Sequence, residues 1–251
     1  MEPEFVFILF GLFMVAILYS SVGHGGASGY LAVLSITTYG SMESAWLKQH
    51  AWCMNLVVAA IAFFHFYREG YHNSKLTIPF IVGSIPMAII GGYLIVDGTI
   101  YDLLLSICLI VAAWRLIVVN RNEMENTKLP KFKISVPVGG SIGLLSGIIG
   151  VGGGIFLSPI LLLKGWATPK GVAATSALFI WVNSLSGLGG AALSNQLILE
   201  LDILIPFVVV VLIGGFIGSR YGAVIAPQQM VRKLLVVVLL IAAMKRIFEL
   251  F

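Results

Sequence analysis

Gly23-His24-Gly25-Gly26-Ala27 interrupts one long apolar run of this chain, and Gly150-Val151-Gly152-Gly153-Gly154 interrupts another 127 residues later. Each glycine cluster falls inside a stretch that would otherwise read as continuous helix. Glycine adopts positive φ without penalty and lets a ligand approach the main chain. Backbone broken at membrane depth is tolerated only where protein buries it or a cavity lines it. Broken apolar helices at matching positions of two halves are the pattern of a transporter's binding site.

The composition requires a membrane. The chain has 251 residues, 59% hydrophobic and 10% charged, with mean hydropathy +1.02. A soluble domain carries about 25% charged residues, so this chain lacks the polar surface to cover a globule in water. Apolar segments fall at about 5–38, 45–67, 76–96, 101–119, 134–163, 171–194, 203–225 and 230–248. Six have the roughly 20-residue length of a single span. The two that hold the glycines are too long for one span and read as helix, break, helix. Met1-Glu2-Pro3-Glu4 lacks the positive region of a secretory signal, so the first run is expected to be retained. Cys53 and Cys108 both lie in apolar segments and read as buried hydrophobes. The net charge of +4 marks loops rather than a nucleic-acid surface.

The halves align beyond the glycines. Ile78-Pro79-Phe80 matches Ile205-Pro206-Phe207, Gly91 matches Gly218, Asn55 matches Asn183, and Ala112-Ala113 matches Ala242-Ala243. The reading is a duplication: a first repeat over 1–119, a linker over 120–133 and a second repeat over 134–251. Arg68 and Lys75 flank one loop, and Arg115, Arg121, Lys128, Lys131 and Lys133 crowd the linker. Arg220, Arg232 and Lys233 flank the last loop, whereas Asp97/Asp102 and Glu200/Asp202 flank two others. These charges obey the positive-inside bias if each broken segment enters and returns on the same side. Each repeat then has a re-entrant hairpin plus three crossings. Three is odd, so the repeats are inverted. The linker is cytoplasmic and both termini lie outside, with Lys245, Arg246 and Lys48 as misfits. The expected fold is an all-α integral membrane protein.

The helix after each break starts with free N–H groups and a positive dipole end, an anion site. Gly23, Gly25, Gly26, Gly150, Val151, Gly152, Gly153 and Gly154 are therefore the candidate backbone of the site. The glycines could instead serve tight helix packing, which is the better reading for Gly187, Gly189 and Gly190. Lys48, Trp52 and Asn55 share one helix face. Thr175, Ser176 and Asn183 occupy the corresponding stretch of the second half. An intramembrane lysine points to function, unless Lys48 snorkels to the surface. His24 could donate to an anion or carry a proton. Ser20 and Ser21 either satisfy broken backbone or touch substrate. The sequence contains no Walker motif, metal-ligand spacing or intramembrane acid to complete a triad, so an enzyme is not expected.

Gly-Val-Gly-Gly-Gly-Ile-Phe-Leu-Ser-Pro (150–159), followed by Ala-Ala-Thr-Ser-Ala (173–177), resembles the second-half signature of the sulfite exporter TauE/SafE family, the 4-toluene sulfonate uptake permeases. Gly-His-Gly-Gly-Ala-Ser (23–28) and Ser-Ala-Trp-Leu-Lys-Gln-His (44–50) look like a more diverged first copy. Ala27 and Ala32 stand where the second copy has Gly154 and Pro159. The resemblance implies a multi-pass inner-membrane secondary carrier of sulfite or organosulfonates such as sulfoacetate, without a bound cofactor. Alternating access is expected from motion of the two repeats about the midplane site. The proton is the candidate coupling ion, and a homodimer is left open. An anion channel, or a carrier of small carboxylates, is the alternative.

Overall fold

The computed structural model describes residues 3–35, 37–94, 127–227 and five further residues between 229 and 237. Most of the segments expected at 101–119 and 230–248 lie outside the described residues. So do Asp97, Asp102, Cys108, Arg115, Arg121, Arg232, Lys245 and Arg246. The described residues form helices and no strands. These are α1 (Pro3–Ser20), α2 (Ala27–Ser35), α3 (Ser44–Arg68), α4 (Ser74–Tyr93), α5 (Phe132–Ile149), α6 (Gly154–Leu163), α7 (Pro169–Leu193) and α8 (Leu201–Arg220, extended by a π-turn to Ile225). Six helical stretches among them are long and apolar enough to cross a membrane.

Both broken segments are broken where the glycines stand. Gly23 and Gly26 have φ of +75° and +102°, and Gly150, Gly152 and Gly153 have φ of +90°, +73° and +80°. These left-handed values end one helix and aim the next. The limbs are unequal: α1 and α5 have 18 residues each, α2 has 9 and α6 has 10. Each pair forms a hairpin whose two ends are held together. The Thr38 N–H, just after α2, donates to Glu4 Oε1 at the start of α1, 2.9 Å away. The Lys128 N–H, just before α5, donates to the Gly165 carbonyl just after α6, at 3.2 Å.

The long helices α3 and α7 form the buried centre and run antiparallel. Trp46 Nε1 near the start of α3 donates to Glu200 Oε1 at 3.0 Å, beyond the end of α7. Gln49 clamps the same loop, donating to the Gln196 carbonyl and accepting from the Ile198 N–H. At the other end Lys170, in the first turn of α7, reaches the Tyr71 hydroxyl in the loop after α3 and donates to the Ala223 carbonyl at 2.9 Å. The molecule therefore has a Glu200 end and a Tyr71 end. Local capping sets the starts of the helices at the Tyr71 end. The Asn73 side chain accepts from the Lys75 N–H, and Thr168 caps α7 with Pro169 in its first turn.

Glycine ladders pack the outer helices. On α5, Gly139, Gly143 and Gly147 lie against the carbonyls of Phe80, Ser84 and Ala88 of α4. On α8 and its π-turn, Gly214, Gly218 and Gly222 lie against those of Phe13, Ile17 and Ser21. The four-residue spacing puts each set on one helix face, where missing side chains let backbones touch. The hairpin limb α1 thus packs on α8, and α5 packs on α4. Of the scattered glycines, Gly187 packs on Trp52 and Gly190 on the Ile89 carbonyl, as expected. Among the described residues, none lies within 4 Å of a Cβ placed at Gly189. Outward residues such as Phe7, Phe10, Ile78, Val82, Ile205 and Val209 are exposed and apolar, whereas Ser20, His24, Asn55, Thr175, Ser176 and Asn183 are buried. Apolar outside and polar inside is the distribution a lipid solvent selects.

Candidate functional site

The two breaks meet at the middle of α3 and α7. A Cβ at Gly25 would strike the Asn55 carboxamide and Ile180, and one at Gly152 would meet Ile180, Asn55 Nδ2 and Ser184 Oγ. Asn55 and Ile180 stand near the midpoints of their helices, Ser44–Arg68 and Pro169–Leu193. The first half-helix, α2, begins with its Ala27 N–H donating to Asn55 Oδ1 at 3.0 Å. Asn55 Nδ2 donates onward to Ser184 Oγ at 3.4 Å. One side chain thus ties together the first break, the second break and α7.

The second half-helix, α6, starts at Gly154 after Gly153, and no side chain caps it. Gly154 sits against Ile180 and His24. His24 Nδ1 lies 3.1 Å from the Val22 carbonyl, which assigns the proton to Nδ1. Nε2 then accepts from Ser158 Oγ at 3.2 Å, and Ser158 Oγ lies 2.7 Å from Ser176 Oγ. This His24–Ser158–Ser176 line joins the first break to α6 and α7.

The expected residues divide. Gly23, His24, Gly25, Gly26, Asn55, Val151, Gly152, Gly153, Gly154 and Ser176 come together around these contacts. Val151 joins the apolar core beside them. Gly150 packs under the Lys48 stem, whose ammonium stands 5.9 Å from the Trp52 ring centroid. The Trp52 Nε1 donor is buried without a partner. Ser20 and Ser21 donate to the Ile17 and Leu18 carbonyls, satisfying backbone at the end of α1. The Thr175 hydroxyl pairs with Thr77 of α4 at 3.2 Å and so stands apart from Ser176 and Ser158. Asn183 donates to the Phe179 carbonyl at 2.8 Å, and its Oδ1 has no partner.

Sequence reading missed Ser158, Ser184, Tyr30 and Lys170. Ser158 lies one turn beyond Gly154 on the same face of α6, so helical spacing from the break could have found it. Tyr30 likewise lies one turn beyond Gly26, and its hydroxyl is buried without a partner. Lys170 is buried at the Tyr71 end. As one basic residue at the start of an apolar run, it resembled any loop charge.

The sulfite exporter TauE/SafE family model matches residues 7–246. The chain is 30% identical over 250 residues to the "Probable membrane transporter protein y4hK" of Sinorhizobium fredii (strain NBRC 101917 / NGR234), covering 98% of this chain and 99% of that protein. No solved structure matches it. With the match running through both glycine breaks and every helix described above, the chain belongs to the sulfite exporter TauE/SafE family of multi-pass membrane transporters.

Proposed function

We propose that this protein is a secondary transporter of small sulfur-containing anions, sulfite or organosulfonates such as sulfoacetate, held at the bilayer midplane between the two glycine breaks. The observation that carries this reading is the meeting of both breaks at Asn55 and Ile180, halfway along α3 and α7. Backbone N–H groups and helix dipoles aimed at one point suit an anion. The two halves, 1–119 and 134–251, act as inverted repeats about the cytoplasmic linker 120–133. The antiparallel run of α3 and α7 supports this, as does the exchange of partners in which α1 packs on α8 and α5 on α4.

The Tyr71 end faces the cytoplasm of the inner membrane, and both termini face outward. Arg68, Lys75, Lys128, Lys131, Lys164, Lys170 and Arg220 lie at helix ends or loops on that side, while Glu4, Glu43, Glu200 and Asp202 lie on the other. Alternating access comes from motion of the repeats about the fixed midplane site. The His24–Ser158–Ser176 line is the route by which a proton is coupled to that motion.

Lys48 stands beside the Gly150 tip on the Glu200 side, where an anion entering from outside meets it. Lys48→Ala is expected to weaken anion binding about tenfold, or about 1.4 kcal/mol, without unfolding the protein. The test is calorimetric titration of purified wild type and variant with sulfite, thiosulfate and sulfoacetate, with acetate and succinate as controls. Preference for the carboxylates would replace the substrate class. Unchanged affinity in the variant would remove Lys48 from the site.

A further inference from the structure

Each half-helix N-terminus has an asparagine on the neighbouring long helix, and the two are used differently. Asn55 Oδ1 accepts from Ala27, filling the place an anion would take on α2. Asn183 is its partner in the alignment of the halves. It lies between Phe179, Ile180 and Ser184, the three α7 residues that line the second break. Asn183 nevertheless leaves α6 uncapped, turning its Nδ2 to the Phe179 carbonyl.

Unpartnered buried polar atoms mark both places. Tyr30 is fully buried and its hydroxyl has no partner, and a Cβ at Gly26 would lie 2.6 Å from it. Ser146 Oγ is likewise fully buried and unpartnered, and a Cβ at Gly153 would lie 3.4 Å from the Ser146 Cβ. Asn183 Oδ1 is the third such atom. A buried polar atom without a partner is costly unless a ligand or a second conformation satisfies it.

We infer that Asn55 and Asn183 are exchangeable internal caps that stand in for the substrate anion. In the conformation described, Asn55 occupies the anion position of α2, and the oxyanion is taken at the N-terminus of α6 with Ser146 beside it. In the opposite conformation Asn183 Oδ1 turns onto α6, and Asn55 releases the Ala27 N–H, with the Tyr30 hydroxyl beside that vacated place. The carboxamide is a neutral mimic of an oxyanion, accepting the same N–H bonds without a buried charge. This deepens the transport reading by giving each repeat its own cap, and it rests on that reading for the substrate's identity.

The test needs no knowledge of the substrate. Thermal melting of purified Asn55→Ala, Asn183→Ala and Asn183→Asp is compared with wild type, with and without sulfate as the probe. Asn55→Ala loses a cap and is expected to melt about 2–4 °C lower. Asn183→Ala removes no cap, only the bond to the Phe179 carbonyl of its own helix, and is expected to melt higher than Asn55→Ala. Asn183→Asp places a carboxylate at the α6 N-terminus, and is expected to melt higher than Asn183→Ala and to lose any stabilisation by sulfate. Equal losses from the two alanine variants overturn the inference, as does an Asn183→Asp that melts no higher than Asn183→Ala. Failure of wild type to bind sulfite or sulfoacetate would instead count against the transport reading, and leaves the ligand-free comparison decisive for the caps.

Discussion

Gly23→Ala is expected to eliminate most of the folded protein. Gly23 sits at the tip of the first hairpin with φ +75°, where an L-residue costs about 1–2 kcal/mol. The heavier loss is steric. A Cβ there would overlap the Ala173 carbonyl, in the buried backbone of α7. Backbone of a central helix cannot yield as a flexible side chain can, so the hairpin must withdraw. The total is on the order of 4 kcal/mol, among the largest single-residue effects, and lowers the melting temperature by about 8–16 °C. Gly70→Ala is the matched control, because Gly70 has the same φ of +75° with nothing near its Cβ position. It should lose only the conformational part. Thermal unfolding of the two detergent-purified variants separates the contributions, and equal losses would show that close approach to α7 contributes nothing.

The second large effect is on transport. His24→Leu is expected to reduce flux at least about tenfold, about 1.4 kcal/mol in the rate-limiting step. His24→Gln is expected to fold normally and still lose the pH dependence of flux. A glutamine can donate to the Val22 carbonyl and accept from Ser158, as His24 does. It cannot take up a proton. In the neutral ring Nε2 accepts from Ser158; after protonation it donates, and the Ser158–Ser176 pair must reverse. Under the proposed coupling, that reversal carries charge at the first break to α6 and α7. Flux measured against pH for wild type and both variants decides it, and a glutamine variant with the wild-type profile would exclude His24 as the coupling group.

The breaks were legible because positive-φ backbone demands glycine, and a cluster of glycines in the middle of an apolar helix weakens that helix with no gain in burial. Charge placement predicts that both hairpins are re-entrant, and the Glu4–Thr38 and Lys128–Gly165 bonds bring the two ends of each hairpin together. Side-chain partners were harder to foresee. Helical spacing put Thr175 and Ser176 side by side, but successive residues point about 100° apart. Thr175 therefore meets Thr77 on α4 while Ser176 meets Ser158. Asn55 was expected to line the site for a ligand. It bonds the protein's own Ala27, a choice set by how closely α2 approaches α3, which no one-dimensional pattern records.

The most direct test of the central claim is counterflow in liposomes containing the purified protein. Labelled sulfoacetate or sulfite is supplied outside, with or without unlabelled anion inside. A carrier with one midplane site reached alternately from the two ends predicts saturable uptake, accelerated by internal anion. Uptake that rises linearly with concentration and ignores internal anion would contradict it, describing a channel instead.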